Sequence, residues 1–325
     1  MKDSTTNAPR SFSRVGWGLF AMSGITSVLQ LLIMAGIGAL VQNGFDTNQA
    51  DWIVWLATFL PLYAVGVPVG VWVMSKAPAQ QKTGEKFGGK NFFSFLLMCF
   101  PLMYAGNLIG TILSMLLSGG GANNAILGYL FNDSPLKILV IVILAPLLEE
   151  FVFRKQIIDR LGRYGEKTAI LFSAVSFALF HMNLFQFFYA FALGLVFAYV
   201  YTRTHRLRYP VIMHMIINFM GAVLAPLVMS LVDMDTLMQM AAGMADESMV
   251  LSVLPGLLGM LLYILAILGL SVVGLVLLCI KVRQLVWLPA EEELPKEHRF
   301  KTVYGNAGMI LFAVLCAVVC VSSLL

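Results

Sequence analysis

Long apolar runs follow one another along this chain, and short polar stretches separate them. A helix needs about 20 apolar residues to cross a bilayer, and only helices or closed barrels satisfy every backbone polar group there. The pattern therefore predicts an all-α, polytopic transmembrane bundle of about nine spans. The runs lie at 15–42, 52–74, 91–118, 136–158, 168–185, 187–204, 209–232, 253–280 and 306–325.

The composition excludes a soluble fold. Of 325 residues, 59% are hydrophobic and only 12% are charged, whereas soluble domains carry about 25% charged residues. The net charge of +4 does not indicate a nucleic-acid partner, because the basic residues lie between the apolar runs. No cleavable signal peptide is predicted, since the first apolar run is too long for one. The cysteines lack the spacing of metal ligands and are predicted to be small hydrophobes: Cys99, Cys279, Cys316 and Cys320.

Lysine and arginine cluster before the first span and in every second connection, which predicts the orientation. By the positive-inside rule the N-terminus is cytoplasmic and the C-terminus external, in what we expect to be a bacterial plasma membrane. Residues 1–14 are then a cytoplasmic tail, and 15–325 form a single transmembrane domain. Only Lys137 falls on the opposite side. The clusters are Lys2, Arg10, Arg14; Lys76, Lys82, Lys86, Lys90; Arg154, Lys155, Arg160, Arg163, Lys167; Arg203, Arg206, Arg208; and Lys281, Arg283, Lys296, Arg299, Lys301.

Paired glycines four residues apart occur in two of the predicted spans. The pairs are Gly66 with Gly70 and Gly106 with Gly110. Small residues at this spacing let two transmembrane helices approach closely. We therefore expect close helix contacts at both pairs.

Three ionisable residues interrupt or closely follow the apolar run at 136–158: Glu149, Glu150 and Arg154. A charged group at the centre of a bilayer costs about 2.5–3.5 kcal/mol on insertion scales, so such residues are usually functional. On a helix, Glu150 and Arg154 share a face, and Glu149 lies about 100° away from Glu150. We predict that Arg154 pairs with Glu150 and that Glu149 faces the interior of the bundle.

Two further polar pairs lie on later apolar runs: Phe177 with His181, and His214 with Asn218. A carboxylate paired with histidine can deprotonate water, and neutral histidine and an asparagine amide can donate to a tetrahedral oxyanion. The set suits hydrolysis of an amide by activated water. Two histidines and one glutamate could alternatively bind zinc, through Glu149, His181 and His214. The His-Glu-x-x-His spacing is absent, which makes zinc the weaker interpretation.

Each polar pair alone has an ordinary structural explanation. Glu150 and Arg154 could be an interfacial ion pair, His181 a packed residue, and His214 with Asn218 an interhelical hydrogen bond. Their ordered occurrence on consecutive segments favours a common site. At about 1.5 Å per residue, Glu149 lies roughly 14 Å from the predicted cytoplasmic end of its span. We therefore expect one cavity that opens to the cytoplasm.

At these residues the chain resembles the CPBP family, which contains type II CAAX proteases and bacteriocin-processing enzymes and is also called the abortive-infection family. The family pattern is Glu-Glu-x-x-x-Arg, then Phe-x-x-x-His, then His-x-x-x-Asn or Asp. Each motif alone is weak, whereas the ordered set is specific, and the resemblance covers about 136–230. Here the pattern reads Glu149-Glu150-Phe-Val-Phe-Arg154, Phe177-Ala-Leu-Phe-His181 and His214-Met-Ile-Ile-Asn218.

The resemblance implies a fold and roles for the motif residues. It implies about eight core helices around a hydrophilic, cytosol-facing chamber, so the ninth span and the polar stretch 281–305 lie beyond that core. It implies that Glu149 is the base and His181 its partner, and that His214 and Asn218 form the oxyanion site. The family has been described both as metalloproteases and as glutamate-dependent proteases; the spacing here favours the glutamate type, with no required cofactor. The supporting positions are Glu150 and Arg154.

The leading hypothesis is an intramembrane endopeptidase that cuts membrane-associated proteins or peptides on their cytosolic side. Its partners are the bilayer and that substrate. The alternative is a non-catalytic member of the same family, which acts as a bacteriocin immunity factor or a scaffold. A proton-coupled transporter fits less well, because the polar groups cluster on three neighbouring spans.

Overall fold

The computed structural model describes residues 7–44, 51–80, 83–132, 134–244 and 246–324. Within those ranges the chain forms twelve helices and no strand, which confirms the all-α class. Residues 1–6 of the predicted tail, with Lys2, and Lys82 lie outside the described residues. The helices are α1 (Ala8–Gln42), α2 (Trp52–Met74), α3 (Gly89–Leu117), α4 (Ile126–Leu130), α5 (138–161), α6 (Glu166–Phe180), α7 (Leu184–Thr204), α8 (Arg208–Ser230), α9 (Met234–Ala241), α10 (Glu247–Val282), α11 (Lys296–Tyr304) and α12 (Ala307–Ser322).

Six of these helices are long and apolar enough to cross a membrane: α1, α2, α3, α7, α8 and α10. The pair α11 and α12, bent by 60°, makes a seventh if it counts as one span. The other two predicted spans correspond to α5 and α6. Neither is among the six: α5 carries the charged residues of the Glu-Glu-x-x-x-Arg motif, and α6 is only 15 residues long.

Several boundaries differ from those predicted. The first helix begins at Ala8 rather than at residue 15, so Arg10 and Arg14 lie on its first two turns. Polar residues at the end of a helix still make its backbone hydrogen bonds. Hydropathy therefore located the start of the apolar run and not the start of the helix. The break between the fifth and sixth predicted spans lies at 181–183, several residues earlier than predicted. The division into a tail and one transmembrane domain stays a prediction.

Helix α5 alternates between π-helical and α-helical backbone hydrogen bonding. It runs through the π segment Ile138–Leu144, the α segment Ala145–Glu150, the π segment Phe151–Gln156 and the α segment Ile157–Leu161. Pro146 follows the first π segment by two residues; it has no N–H, so the ladder must shift there. Glu149 and Glu150 therefore lie on a short α segment between two π segments, a backbone feature that is frequent at functional sites.

Both predicted glycine contacts are present. A Cβ on Gly106 would lie 2.5 Å from the backbone nitrogen of Tyr189, and one on Gly110 would lie 2.6 Å from the Leu184 carbonyl oxygen. Helix α3 therefore packs directly against the first half of α7. The other pair packs α2 on α1, where a Cβ on Gly70 would lie 2.9 Å from the carbonyl oxygen of Gly18.

A polar connection between α10 and α11 lies across one end of the bundle, and we call residues 284–295 the closing strap. The backbone nitrogens of Glu292 and Leu294 donate to the carbonyls of Arg163 and Tyr164, at 3.0 and 3.2 Å. Arg163 also forms an ion pair with Glu292. Leu294 of the strap and Tyr164 beneath it are both buried. This end of the bundle is the one that carries the basic connections.

The alternation of charge predicts that this basic end faces the cytoplasm. In a variant whose four native cysteines are replaced by alanine, Asn43→Cys and Ser75→Cys should react with a membrane-impermeant thiol reagent from opposite sides of the membrane. Both side chains are exposed, at opposite ends of the first two helices. We expect Asn43→Cys to label in intact cells and Ser75→Cys only in inverted vesicles. Labelling of both from one side would contradict the orientation.

Candidate active site

The centre of the site is an ion pair on α5. The Nε atom of Arg154 donates to Glu150 Oε2 at 2.8 Å, and its Nη2 donates to Oε1 at 3.2 Å. Both side chains are 0% exposed. The predicted pairing of Arg154 with Glu150 is therefore confirmed, in the two-pronged form that matches a guanidinium to a carboxylate.

The remaining face of the guanidinium is also satisfied. Arg154 Nη1 donates to Ser173 Oγ at 3.0 Å, and that hydroxyl donates to the Phe153 carbonyl at 2.7 Å. The guanidinium lies over the ring of Phe177, 4.6 Å from its centroid. Sequence reasoning did not find Ser173. Its position four residues before Phe177 on α6 is the signal that could have found it.

His214 connects this pair to α8. Its Nδ1 lies 3.0 Å from Glu150 Oε1, and its ring stacks on Phe197 at 5.4 Å. A carboxylate paired with arginine accepts hydrogen bonds, so Nδ1 must carry the hydrogen. The other nitrogen, Nε2, lies 3.9 Å from Glu149 Oε2. That gap is too long for a hydrogen bond and suits a bridging water.

His181 lies at the end of α6, in a turn rather than within a helix. Its Nδ1 donates to the Phe177 carbonyl at 2.8 Å, because a carbonyl oxygen can only accept. Met182 then has a φ of 49°, and Asn183 begins α7 by accepting from the Phe185 nitrogen at 2.8 Å. This turn leaves Nε2 of His181 available to the cavity that it lines. Among the ion pairs of the described residues, Glu149 has one contact, the 3.9 Å approach to His214, and none with His181. The role of His181 in activating water stays a prediction.

Asn218 lies one turn beyond His214 on α8. Its Nδ2 donates to the carbonyl of Ile141 at 2.9 Å, within the first π segment of α5. An amide nitrogen has two N–H groups, so one of them remains for another partner. The contact fixes Asn218 at the wall of the cavity.

The site opens into a cavity of about 670 Å³, lined by Glu149, His181, His214 and Asn218. The two neighbouring glutamates differ in exposure: the side chain of Glu149 is 16% exposed, whereas that of Glu150 is 0% exposed. Glu149 therefore faces the cavity, as predicted. Many other cavity-lining residues were not predicted, because no motif marks them; Tyr63, Gln186 and Tyr189 are among them.

The cavity lies toward the end of the bundle that is opposite the basic connections, so the expected cytoplasmic opening and the orientation from the charge alternation do not agree, and both stay predictions. The lining includes the connection around Asn123 and Asn124 and the helix Ile126–Leu130, at the end opposite the basic connections. Among the described residues, none from the closing strap or from the connections at 75–88, 162–165 and 205–207 lines it. The depth of Glu149 along its own helix does not show toward which end the cavity opens, because Glu149 lies near the middle of α5.

The residues of the alternative zinc site do not assemble one. In the part of the chain that the structure describes, no group of three His, Cys, Asp or Glu residues is placed to hold a metal ion. The Nδ1 atoms of His181 and His214 are committed to Phe177 and Glu150. The zinc set of Glu149, His181 and His214 is thus not preformed, and metal independence of the reaction stays a prediction.

Comparison with known proteins points to one family. The sequence profile described as "Type II CAAX prenyl endopeptidase Rce1-like" matches residues 131–220, a range that contains all three motifs. The chain is 27% identical over 205 residues to "Membrane-embedded CAAX protease MroQ" of Staphylococcus aureus (strain USA300), which covers 60% of this chain and 82% of that protein. It is 39% identical over 88 residues to "Putative membrane peptidase YdiL" of Bacillus subtilis (strain 168), which covers 26% of this chain and 35% of that protein. No solved structure matches significantly.

The buried pair generates a prediction about stability. Arg154→Met should lower the free energy of unfolding by about 3–5 kcal/mol, because it leaves the Glu150 carboxylate buried without its partner. Lys155→Met is the matched control, since Lys155 is the next residue and its side chain is 51% exposed. Thermal unfolding in detergent should show a large loss of Tm for the first variant and a small one for the second. Equal losses would contradict the role of the pair.

Proposed function

This chain belongs to the Rce1-like type II CAAX prenyl endopeptidase family, and we propose that it is an intramembrane endopeptidase that uses a water molecule activated at Glu149. One observation carries the proposal: Glu149 is the only acidic residue among the described residues that line the cavity. Its neighbour Glu150 is neutralised by Arg154. One carboxylate is thus free to take a proton, while the other is structural.

In the proposed reaction Glu149 removes a proton from water, and the water oxygen attacks the carbonyl carbon of the scissile peptide bond. Glu149 then returns the proton to the leaving nitrogen as the carbon–nitrogen bond breaks. A general base of this kind contributes about 10²–10⁴-fold to the rate. Nε2 of neutral His181 is a hydrogen-bond acceptor and suits the orientation of the attacking water.

The oxyanion that forms on the carbonyl needs hydrogen-bond donors. The second N–H of Asn218 is one. His214 becomes another when Nε2 is protonated, since Nδ1 already donates to Glu150. No cofactor enters this mechanism.

The proposal includes the finer topology. We place α5 and α6 in the membrane with the other helices, which makes nine spans, eight of them in the core. The N-terminus is cytoplasmic and the C-terminus external, in a bacterial plasma membrane. The substrate is a membrane-associated protein or peptide, in keeping with the similarity to a staphylococcal membrane-embedded CAAX protease.

Substitution of Glu149 tests the proposal. Glu149→Gln should lower the rate of cleavage of a peptide library by about 10²–10⁴-fold, because it removes the base and keeps the volume. Glu297→Gln, on the exposed face of α11, is the matched control and should cleave normally. A residual rate above roughly a tenth of the wild-type rate would count against Glu149 as the base. A wild-type protein with no cleavage at all would favour the non-catalytic alternative, an immunity factor or scaffold.

Asn218 distinguishes the water mechanism from a zinc mechanism. Asn218→Ala should lower kcat by about 10²–10³-fold with little change in KM, as expected for loss of an oxyanion donor. Added zinc should not restore the rate, and elemental analysis of active protein should find no stoichiometric transition metal. Stoichiometric zinc together with rescue by zinc would overturn the glutamate mechanism, because a residue that supports a metal ligand mainly affects metal affinity.

A further inference from the structure

The cavity has its polar lining at the end of the bundle that is opposite the basic connections. We propose that the substrate reaches Glu149 from that end, as an extended and uncharged peptide segment, and that the basic end is closed to it. That the molecule entering the cavity is a peptide substrate rests on the proposed function. The route of access is a property of the fold and can be tested without any proteolysis.

The position of the lining residues supports this route. On α1 the lining begins at Ser23 and ends at Gln30, and on α3 it begins at Met103 and ends at Asn107. Both helices run away from the basic end, and both contribute only from their middle onward. The connection before α4 completes the lining.

The opposite route is blocked by packed side chains. Below Glu149, successive turns of α5 and its end bury Phe153, Ile157, Leu161 and Tyr164, which are each at most 1% exposed. Packed protein interiors have few voids larger than a water molecule, so a peptide cannot pass such a column.

The closing strap seals the same end from outside. Its backbone nitrogens at Glu292 and Leu294 donate to the carbonyls of Arg163 and Tyr164, in the turn that follows α5. The Leu288 nitrogen donates to Glu166 Oε2 at 2.9 Å, and Glu166 forms an ion pair with Arg203. The stretch that follows the CPBP-like core in the sequence therefore closes the core on one side.

The chemistry of the lining selects the kind of segment. Apart from Glu149 and the two histidines, the described lining residues are apolar or neutral. A charged substrate side chain would lose its hydration there, which is costly, and the one carboxylate that a basic side chain could pair with is Glu149, the proposed base. Neutral amides can instead bond to the peptide backbone of any sequence. Besides Asn218, they are Gln30, Asn107, Asn123, Asn124, Asn183 and Gln186.

Two buried polar atoms of the lining residues have no partner within the described protein. They are the hydroxyl of Ser23, whose residue is 1% exposed, and the Oδ1 atom of Asn124. A buried oxygen without a hydrogen bond is costly and rare. The N–H groups of an extended peptide are the donors that would satisfy them. The charge alternation places this end outside the cell, so the substrate is a membrane peptide that is presented from the external side.

Accessibility of introduced cysteines tests the route. In the variant without native cysteines, Gly221→Cys and Ala145→Cys place thiols on the cavity wall, one turn from Asn218 and Glu149 respectively. At Gly221 an added Cβ meets no atom within 4 Å, so this variant should fold normally. Gln284→Cys in the closing strap reports the basic end, and its side chain is exposed. The probe is a small cationic, membrane-impermeant thiol reagent, for which Glu149 supplies the counter-charge.

The expected result is that both cavity thiols react only from the side opposite to Gln284→Cys. Reaction only from the Gln284 side, reaction from both sides, or reaction from neither side would each overturn the route. The selectivity is tested separately with the wild-type protein. Peptides with no Lys, Arg, Asp or Glu near the cleaved bond should be cut at least tenfold faster than matched peptides with one such residue. Equal rates would overturn the uncharged substrate class and leave the route standing.

Discussion

A charge pair with no exposed surface determines how the centre of this protein is arranged. Taking Glu150 and Arg154 out of water costs several kcal/mol per ion, and their mutual attraction offsets this only when the remaining hydrogen bonds are also made. The missing partners come from other helices. Ser173 on α6 bonds to the guanidinium, and His214 on α8 bonds to the carboxylate. Three helices must therefore keep one relative position for the pair to exist.

Adjacent residues acquire different chemistry from this arrangement. Because successive residues on a helix differ in direction by about 100°, Glu150 faces the ion pair while Glu149 faces the cavity. The π segments on both sides of them adjust the helix to its neighbours. One of these segments also provides the carbonyl of Ile141 that holds Asn218. A single short stretch of α5 thus supplies the structural charge, the proposed base and the support for an oxyanion donor.

The helical hairpin of α6 and α7 brings the second histidine into the same space. The hairpin turns at Met182, whose positive φ is uncommon for a residue with a side chain. The glycines of α3 allow α7 to pack backbone to backbone at this level. The close contact leaves no room for a path on that side, and the closing strap covers the basic end. What remains open is the polar cavity in the other half of the bundle.

The sequence by itself determined the helical class, the runs of most spans, the glycine contacts and the pairing of Glu150 with Arg154. Each of these follows from local spacing, because hydropathy and the helical period act over a few turns. It also identified the residues that meet in the cavity, through three ordered motifs. Only the tertiary structure decided that Nε2 of His214 lies 3.9 Å from Glu149, that Ser173 completes the ion pair, and that the cavity opens away from the basic end. Those outcomes depend on where a hairpin turns and on how a distant connection folds back over the bundle, and no local pattern along the chain encodes such distances.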